Sequence, residues 1–171
     1  TWRWLPTMTS KVSARGFKPI PRAIRPLPNQ PDSDMFDLVP ARPDLAEADF
    51  EAVVASRAVI HGLFGPDVDW PPADLTIEGD RDDLQWHAEE FEAGTSFAFL
   101  VTGTGQPSCK GCLYLFPTQS PSHDIEAFLW TRPDLDSGIA KLIEEKIISW
   151  VESAWPFRHV AWPGRDCSLE D

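Results

Sequence analysis

The sequence predicts an α/β domain in which a mixed, mainly antiparallel sheet is flanked by helices. Three observations carry that expectation. Two apolar, aromatic-rich runs, SFAFLV at 96–101 and CLYLF at 112–116, are separated by GTGQPSCKG, a turn signal. A third apolar run at 125–130 passes through a short loop holding Gly138 into a helix whose apolar residues recur every three or four positions. Two further helical stretches come earlier, and short strands are expected at 36–39 and 158–162.

The elements follow in order. Residues 1–35 hold six of the seventeen prolines, and FKPIPRAIRPLPNQP cannot continue a helix. They read as an extended, solvated basic arm, with the folded domain spanning 36–171. The first helix is expected over 45–61, with Phe50, Val53, Val54 and Ile60 on its apolar side. The second is expected over 80–92. There Leu84, Ala88 and Phe91 should face inward, and Asp82, Asp83, Glu89, Glu90 and Glu92 should face water. After the hairpin, strand alternation sets Glu126, Phe128 and Trp130 on one face and Ile125, Ala127 and Leu129 on the other. Ile139, Leu142, Ile143, Ile147, Trp150, Val151 and Ala154 form the stripe of the last helix. Ser137 is its expected N-cap, Asp134 and Asp136 suit the helix dipole, and Pro156 ends it.

Bulk properties exclude several classes. A chain of 171 residues suits one domain with one core, and a 42% apolar content with eight Trp and ten Phe argues against disorder. No apolar run approaches the ~20 residues that cross a bilayer, and no signal-peptide pattern is visible. Three cysteines, an odd number at irregular spacing, argue against a disulfide scaffold and fit a reducing cytoplasm. Residues 1–35 carry six basic and two acidic side chains, a net of +4. The other residues carry nine basic and 25 acidic, a net of −16, which gives the overall −12. Such a domain should repel nucleic acid and anionic membranes and attract a cationic substrate such as a primary amine.

The order strand, two helices, three-strand meander, helix, strand resembles the GNAT superfamily of acetyl-CoA-dependent N-acetyltransferases, over roughly residues 36–164. The family's pyrophosphate signature, Arg/Gln-x-x-Gly-x-Gly/Ala, is similar at its end to Gly138-Ile139-Ala140, followed by the apolar pair Leu142-Ile143. Its beginning departs, with Leu135 or Asp136 at the Arg/Gln position. Trp155-Pro156-Phe157 and Pro163-Gly164-Arg165 look like an uncharacterised branch. The family's fourth helix and last two strands have no counterpart before Asp171, so the resemblance is to a partial domain.

The resemblance implies acetyl-CoA as co-substrate and direct acetyl transfer to a primary amine of a small molecule or peptide. It implies that backbone groups of Leu129, Trp130 and Thr131 hold the pantetheine arm. Ser137, Gly138, Ile139, Ala140 and Lys141 would hold the pyrophosphate at a helix start, where backbone amides lack partners. Arg132 and Lys141 would offset the acidic surroundings. Glu126, a carboxylate among aromatics on a central strand, is the first choice for the base, and His123 the second. Phe64, Asp67, Asp69 and Trp70, in GLFGPDVDWPP, are candidate substrate contacts, against the alternative of a rigid linker whose Trp70 caps the core. Members of the family often use a late tyrosine as acid. The only tyrosine here, Tyr114, is on the hairpin and does not match.

No metal is expected. Cys109-Lys-Gly-Cys112 has no second pair at zinc spacing, enters a strand rather than opening a helix, and reads as packing cysteines. The four histidines are scattered, without HExxH. A competing reading is a catalytically inactive binding module on the same fold. A free edge at the fifth strand would invite pairing, a homodimer included.

Overall fold

A computed structural model describes residues 19–20 and 24–166. Five strands form one sheet in sequential order: β1 (Asp37–Pro40), β2 (Phe97–Thr102), β3 (Cys109–Phe116), β4 (Ile125–Thr131) and β5 (Val160–Ala161). The first four are antiparallel neighbours, while β4 and β5 run parallel. Among the described residues the α-helices are α1 (Ala46–Ile60), α2 (Ile77–Ala93) and α3 (Ser137–Ala154). Among the described residues no helix is long and apolar enough to cross a membrane.

Strand alternation divides the core as expected. Ile125, Ala127 and Leu129 of β4 face α3, whose Ile143, Ile147, Trp150 and Val151 are buried against them. Phe128 and Trp130 face α1 and α2, where Ala46, Ala52, Val53, Ile60 and Leu84 complete a second apolar layer.

The helices differ from expectation in their buried faces. In α1 the inward stripe is Ala46, Asp49, Ala52, Val53, Ser56 and Ile60, while Val54 is 51% exposed. Two polar residues on that stripe disguise it, so the valines alone point to the wrong face. Helix α2 begins at Ile77, three residues early, because the Thr76 hydroxyl accepts the Gly79 amide at 3.0 Å. It ends at Gly94, whose left-handed φ of 72° lets the next amides return to Glu90 and Phe91. Asp80, His87 and Glu90 are buried on it and Asp83 is nearly so, against the expectation that Asp83 and Glu90 face water. The Thr95 hydroxyl donates to the Glu90 carboxylate at 2.6 Å. In α3, Ile139 and Leu142 of the expected stripe are 43% and 50% exposed.

The segment before β1, expected as a solvated arm, is docked where it is described. Ile20 and Ile24 are buried on the α3 side of the sheet. Arg25 donates to the Phe91 and Glu92 carbonyls, and the Trp150 indole donates to the Asn29 carbonyl at 2.8 Å. Residues 1–18 lie outside the described part.

Candidate functional site

Strands β4 and β5 pair at only two positions, Ile125 with Val160 and Glu126 with Ala161. The chain then turns away, with the Asp166 carboxylate accepting the Trp162 amide and the Arg165 amide returning to the Trp162 carbonyl. The parting leaves a cleft of about 320 Å³ lined by Ala127, Phe128 and Leu129 of β4, by residues 163–165, and by Gly62 and Leu63 after α1. Arg165 reaches across it, donating to the Leu129 carbonyl at 3.0 Å and pairing with Glu144 at 3.0 Å. Glu144 also accepts the Thr131 hydroxyl at 2.8 Å. Sequence reading noted Arg165 only as part of a terminal motif. Its signal was a cation just after a Pro-Gly turn in a strongly acidic domain.

At the start of α3 the N-cap is Asp136, one residue before the expected Ser137. Its carboxylate accepts the amides of Gly138 and Ile139 at 2.9 and 3.0 Å, and its carbonyl accepts that of Ala140. Of the residues expected to hold pyrophosphate, Ser137 to Lys141, the amides of Gly138, Ile139 and Ala140 are thus engaged by Asp136. The two cations expected to offset the acidity are engaged as well. Arg132 binds both oxygens of Asp134 and one of Glu51, and Lys141 lies 3.8 Å from Glu145. Hydrogen bonding to Asp134 raises the Arg132 pKa further, and the same contact lowers that of Asp134.

Of the cofactor-facing strand residues, Leu129 borders the cleft, whereas Trp130 is buried on the opposite layer with its indole on the Tyr114 hydroxyl at 3.3 Å. Thr131 is tied to Glu144. Glu126 sits one residue before the cleft-lining Ala127, on the same face as Phe128, and accepts the Thr118 hydroxyl at 2.9 Å. His123 is elsewhere. Its Nδ1 contacts the hydroxyls of Ser120 and Ser122, and it borders a separate depression with residues 157–160.

The loop after α1 does not present its aromatics to a ligand. Phe64 lies 4.9–5.7 Å, ring to ring, from Trp70, Tyr114, Phe116 and Phe128, and Trp70 is 4% exposed. Both fill the α1–α2 layer. Asp69 instead contacts His61 at 3.1 Å on the surface, and Asp67 is exposed.

Sequence reading missed a buried polar cluster between α1, α2 and β3. Asp49 accepts the Cys112 thiol at 3.2 Å and lies 3.9 Å from that of Cys109. The cysteines lie within β3 rather than at a turn leading into it. Residues three apart on a regular strand point to opposite faces. Here Thr102 pairs with Cys109 and Val101 with Gly111, so Lys110 is an extra residue and both thiols share one face. Gly111 is required beside it, since a Cβ there would stand 2.0 Å from the Trp130 carbonyl oxygen.

Burial, first of all, raises the carboxyl pKa values of Asp49 and Asp80, which lie against each other, so the pair retains a proton. Burial, aided by the Asp49 charge, pushes Asp83 up to about 8. It lowers His87, 3.6 Å from Asp83, to about 3. The Cys112 thiol and the Tyr114 hydroxyl are raised for the same reason.

No protein-family model matches the chain, and no curated protein matches it in sequence. Two solved structures match its fold. One is RimL, a ribosomal L7/L12 alpha-N-protein acetyltransferase, in complex with coenzyme A held in a disulfide. It aligns with a TM-score of 0.54 at 16% identity, covering 72% of this chain and 67% of that one. The other is RimL in an apo crystal form, with a TM-score of 0.53 at 17% identity, covering 78% and 70%. At that identity the likeness concerns the backbone. The chain has a GNAT-like fold, a mixed and mostly antiparallel sheet in which β4 and β5 pair in parallel at two positions.

Proposed function

We propose that this chain is a GNAT-type acyltransferase, with acetyl-CoA lying in the cleft between β4 and residues 163–165. The observation that carries the reading is the cleft itself. It lies along β4 from Ala127 to Leu129, where an extended amide-bearing arm can pair with backbone groups once Arg165 gives up the Leu129 carbonyl. From Thr131 to Glu126 the strand covers about 17 Å, at about 3.3 Å per residue. An arm anchored near the start of α3 and laid along β4 therefore brings its thioester toward Glu126.

Glu126 then serves as base. It takes a proton from the incoming ammonium, directly or through one water, and the freed nitrogen attacks the thioester carbonyl. The C–S bond breaks as the amide forms, and the thiolate leaves to be protonated by solvent. The acceptor is a primary amine of a small molecule or peptide, drawn in by the net −16 of residues 36–171. RimL, which acts on a protein α-amine by its description, makes peptide N-termini a first choice.

A second reading, a binding module without turnover, has its own support. The Asp136 carboxylate occupies the helix start, and Phe64 and Trp70 fill the layer where an acceptor would lie. Calorimetry with acetyl-CoA followed by a thiol-release assay over an amine and peptide panel separates the two. Binding with thiol release supports transfer, binding alone supports the module, and absence of binding rejects both. Glu126→Gln should lower kcat about 10²- to 10⁴-fold with little change in acetyl-CoA affinity. An unchanged rate removes Glu126 from the chemistry.

A further inference from the structure

The cluster between α1, α2 and β3 takes no part in acyl transfer, and its donor set points elsewhere. We propose that Asp49, Cys109 and Cys112, with Asp80 as fourth donor, bind a divalent transition metal of the zinc class, fastening α1 and α2 to the sheet. One ligand atom from each of Asp49, Cys109 and Cys112 lies within 4.8 Å of the others, and all three residues are buried. A tetrahedral zinc, with bonds of about 2.3 Å to sulfur and about 2.0 Å to oxygen, holds such S and O atoms about 3.5 Å apart. The observed 3.2 and 3.9 Å separations from the Asp49 oxygen bracket that value, so these three donors need only small shifts, while Asp80, outside that group, must turn inward to become the fourth. Two thiols with carboxylates select a borderline-soft cation over magnesium or calcium, which prefer oxygen alone.

Two independent observations favour a ligand over mere packing. Asp80 is 3% exposed and its carboxyl is hydrogen-bonded to that of Asp49, while its Oδ2 meets no other polar group. Two buried carboxyls held together by one proton are a site where a cation can take that proton's place. The bulge at Lys110 is the other. It turns two residues three apart onto one face, the arrangement that chelation by CxxC requires. A surface depression lined by Ala48 and Ser108, the chain neighbours of Asp49 and Cys109, lies next to the cluster.

On binding, two thiol protons and the proton held by the carboxyl pair leave to solvent. The cation then meets two thiolates and two carboxylates, the same charge balance as a four-cysteine zinc site. The proposal does not rest on the acyl-transfer reading.

The test uses the full chain, reduced and stripped of metal. Titration with Co²⁺ should give one equivalent bound, with a thiolate-to-cobalt charge-transfer band that Zn²⁺ abolishes by displacement. Free Zn²⁺ at a hundred times its Kd should raise the folding equilibrium constant about a hundredfold and Tm with it. Asp80→Asn, which keeps volume and can donate to Asp49, should weaken Zn²⁺ binding at least tenfold. Cys109→Ala combined with Cys112→Ala should abolish the band. A wild-type chain with neither band nor Tm shift overturns the site, however the variants behave. Full Zn²⁺ affinity in the double variant overturns it equally, by placing the metal elsewhere.

Discussion

A single carboxylate decides how the helix start behaves toward an anion. Asp136 caps α3 by accepting two amides at 2.9 and 3.0 Å, so the backbone groups that would cradle a diphosphate are matched by a side chain bearing the wrong charge. Asp136 is exposed, however, and can swing out more cheaply than a packed residue. Asp136→Ser separates its two effects. Serine caps nearly as well as aspartate, so stability should change by no more than about 0.5 kcal/mol, whereas Asp136→Ala should cost about 0.5–2 kcal/mol. Loss of the charge should tighten acetyl-CoA binding about two- to fivefold, the size of a surface charge–dipole effect of about 0.3–1 kcal/mol. Calorimetry on the serine variant and urea unfolding of all three proteins read these outcomes. Weaker binding by the serine variant would mean that the diphosphate is not held here.

At the scale of elements, α1 and α2 show why some faces were legible in the sequence and others were not. The α3-facing side of β4 and the α3 stripe from Ile143 to Val151 were readable because apolar residues alone line them. The inward faces of α1 and α2 carry Asp49, Ser56, Asp80 and His87, and a pattern built on hydrophobicity discards such residues. The same blindness hid the cysteine–carboxylate cluster, because the bulge that gathers it breaks the period of two.

The buried faces of these helices should tie stability to pH. Asp83 on α2 faces Asp49 of α1 and shares its helix face with Asp80 and His87, so its proton must be separated from theirs. Its pKa rises from the ordinary 3.8 to about 8 on folding, so the folded chain holds a proton that the unfolded chain loses above about pH 4. Its stabilising contribution is complete below that pH and is lost as pH rises toward 8, at up to about 1.4 kcal/mol per unit. His87 acts in the opposite sense. Kept neutral down to about 3, it withholds stability as acid protonates the unfolded chain below 6.5. Relative to Asp83→Asn, the metal-free wild type should therefore lose stability steadily from pH 4 to 8 in urea titrations. A difference between the two that stays flat would show Asp83 ionised in the folded state.

For the whole molecule, the boundary between arm and domain is where composition misleads. Six prolines before residue 36 argue against a long helix, but they say nothing about docking. An extended segment can bury alternate side chains and donate from the rest, and this one does both. Ile20 and Ile24 enter the core on the α3 side, and Arg25 fastens the C-terminal end of α2 through the Phe91 and Glu92 carbonyls. In that layer α3 supplies only four buried residues, joined by Trp155, Phe157 and Trp162 from the segment after it. The consequence is a measurable one. Each isoleucine, fully buried, contributes about 1.5–3 kcal/mol. A chain beginning at Met35 should thus be less stable by about 3–6 kcal/mol, a large share of the ~5–15 kcal/mol that holds a domain of this kind together. Ile20→Ala with Ile24→Ala in the full chain should reproduce most of that loss, because it removes the buried groups while leaving the segment in place. Equal urea midpoints for the full chain and the chain from Met35 would return residues 20–34 to the status of a solvated arm and leave the α3 layer to stand alone.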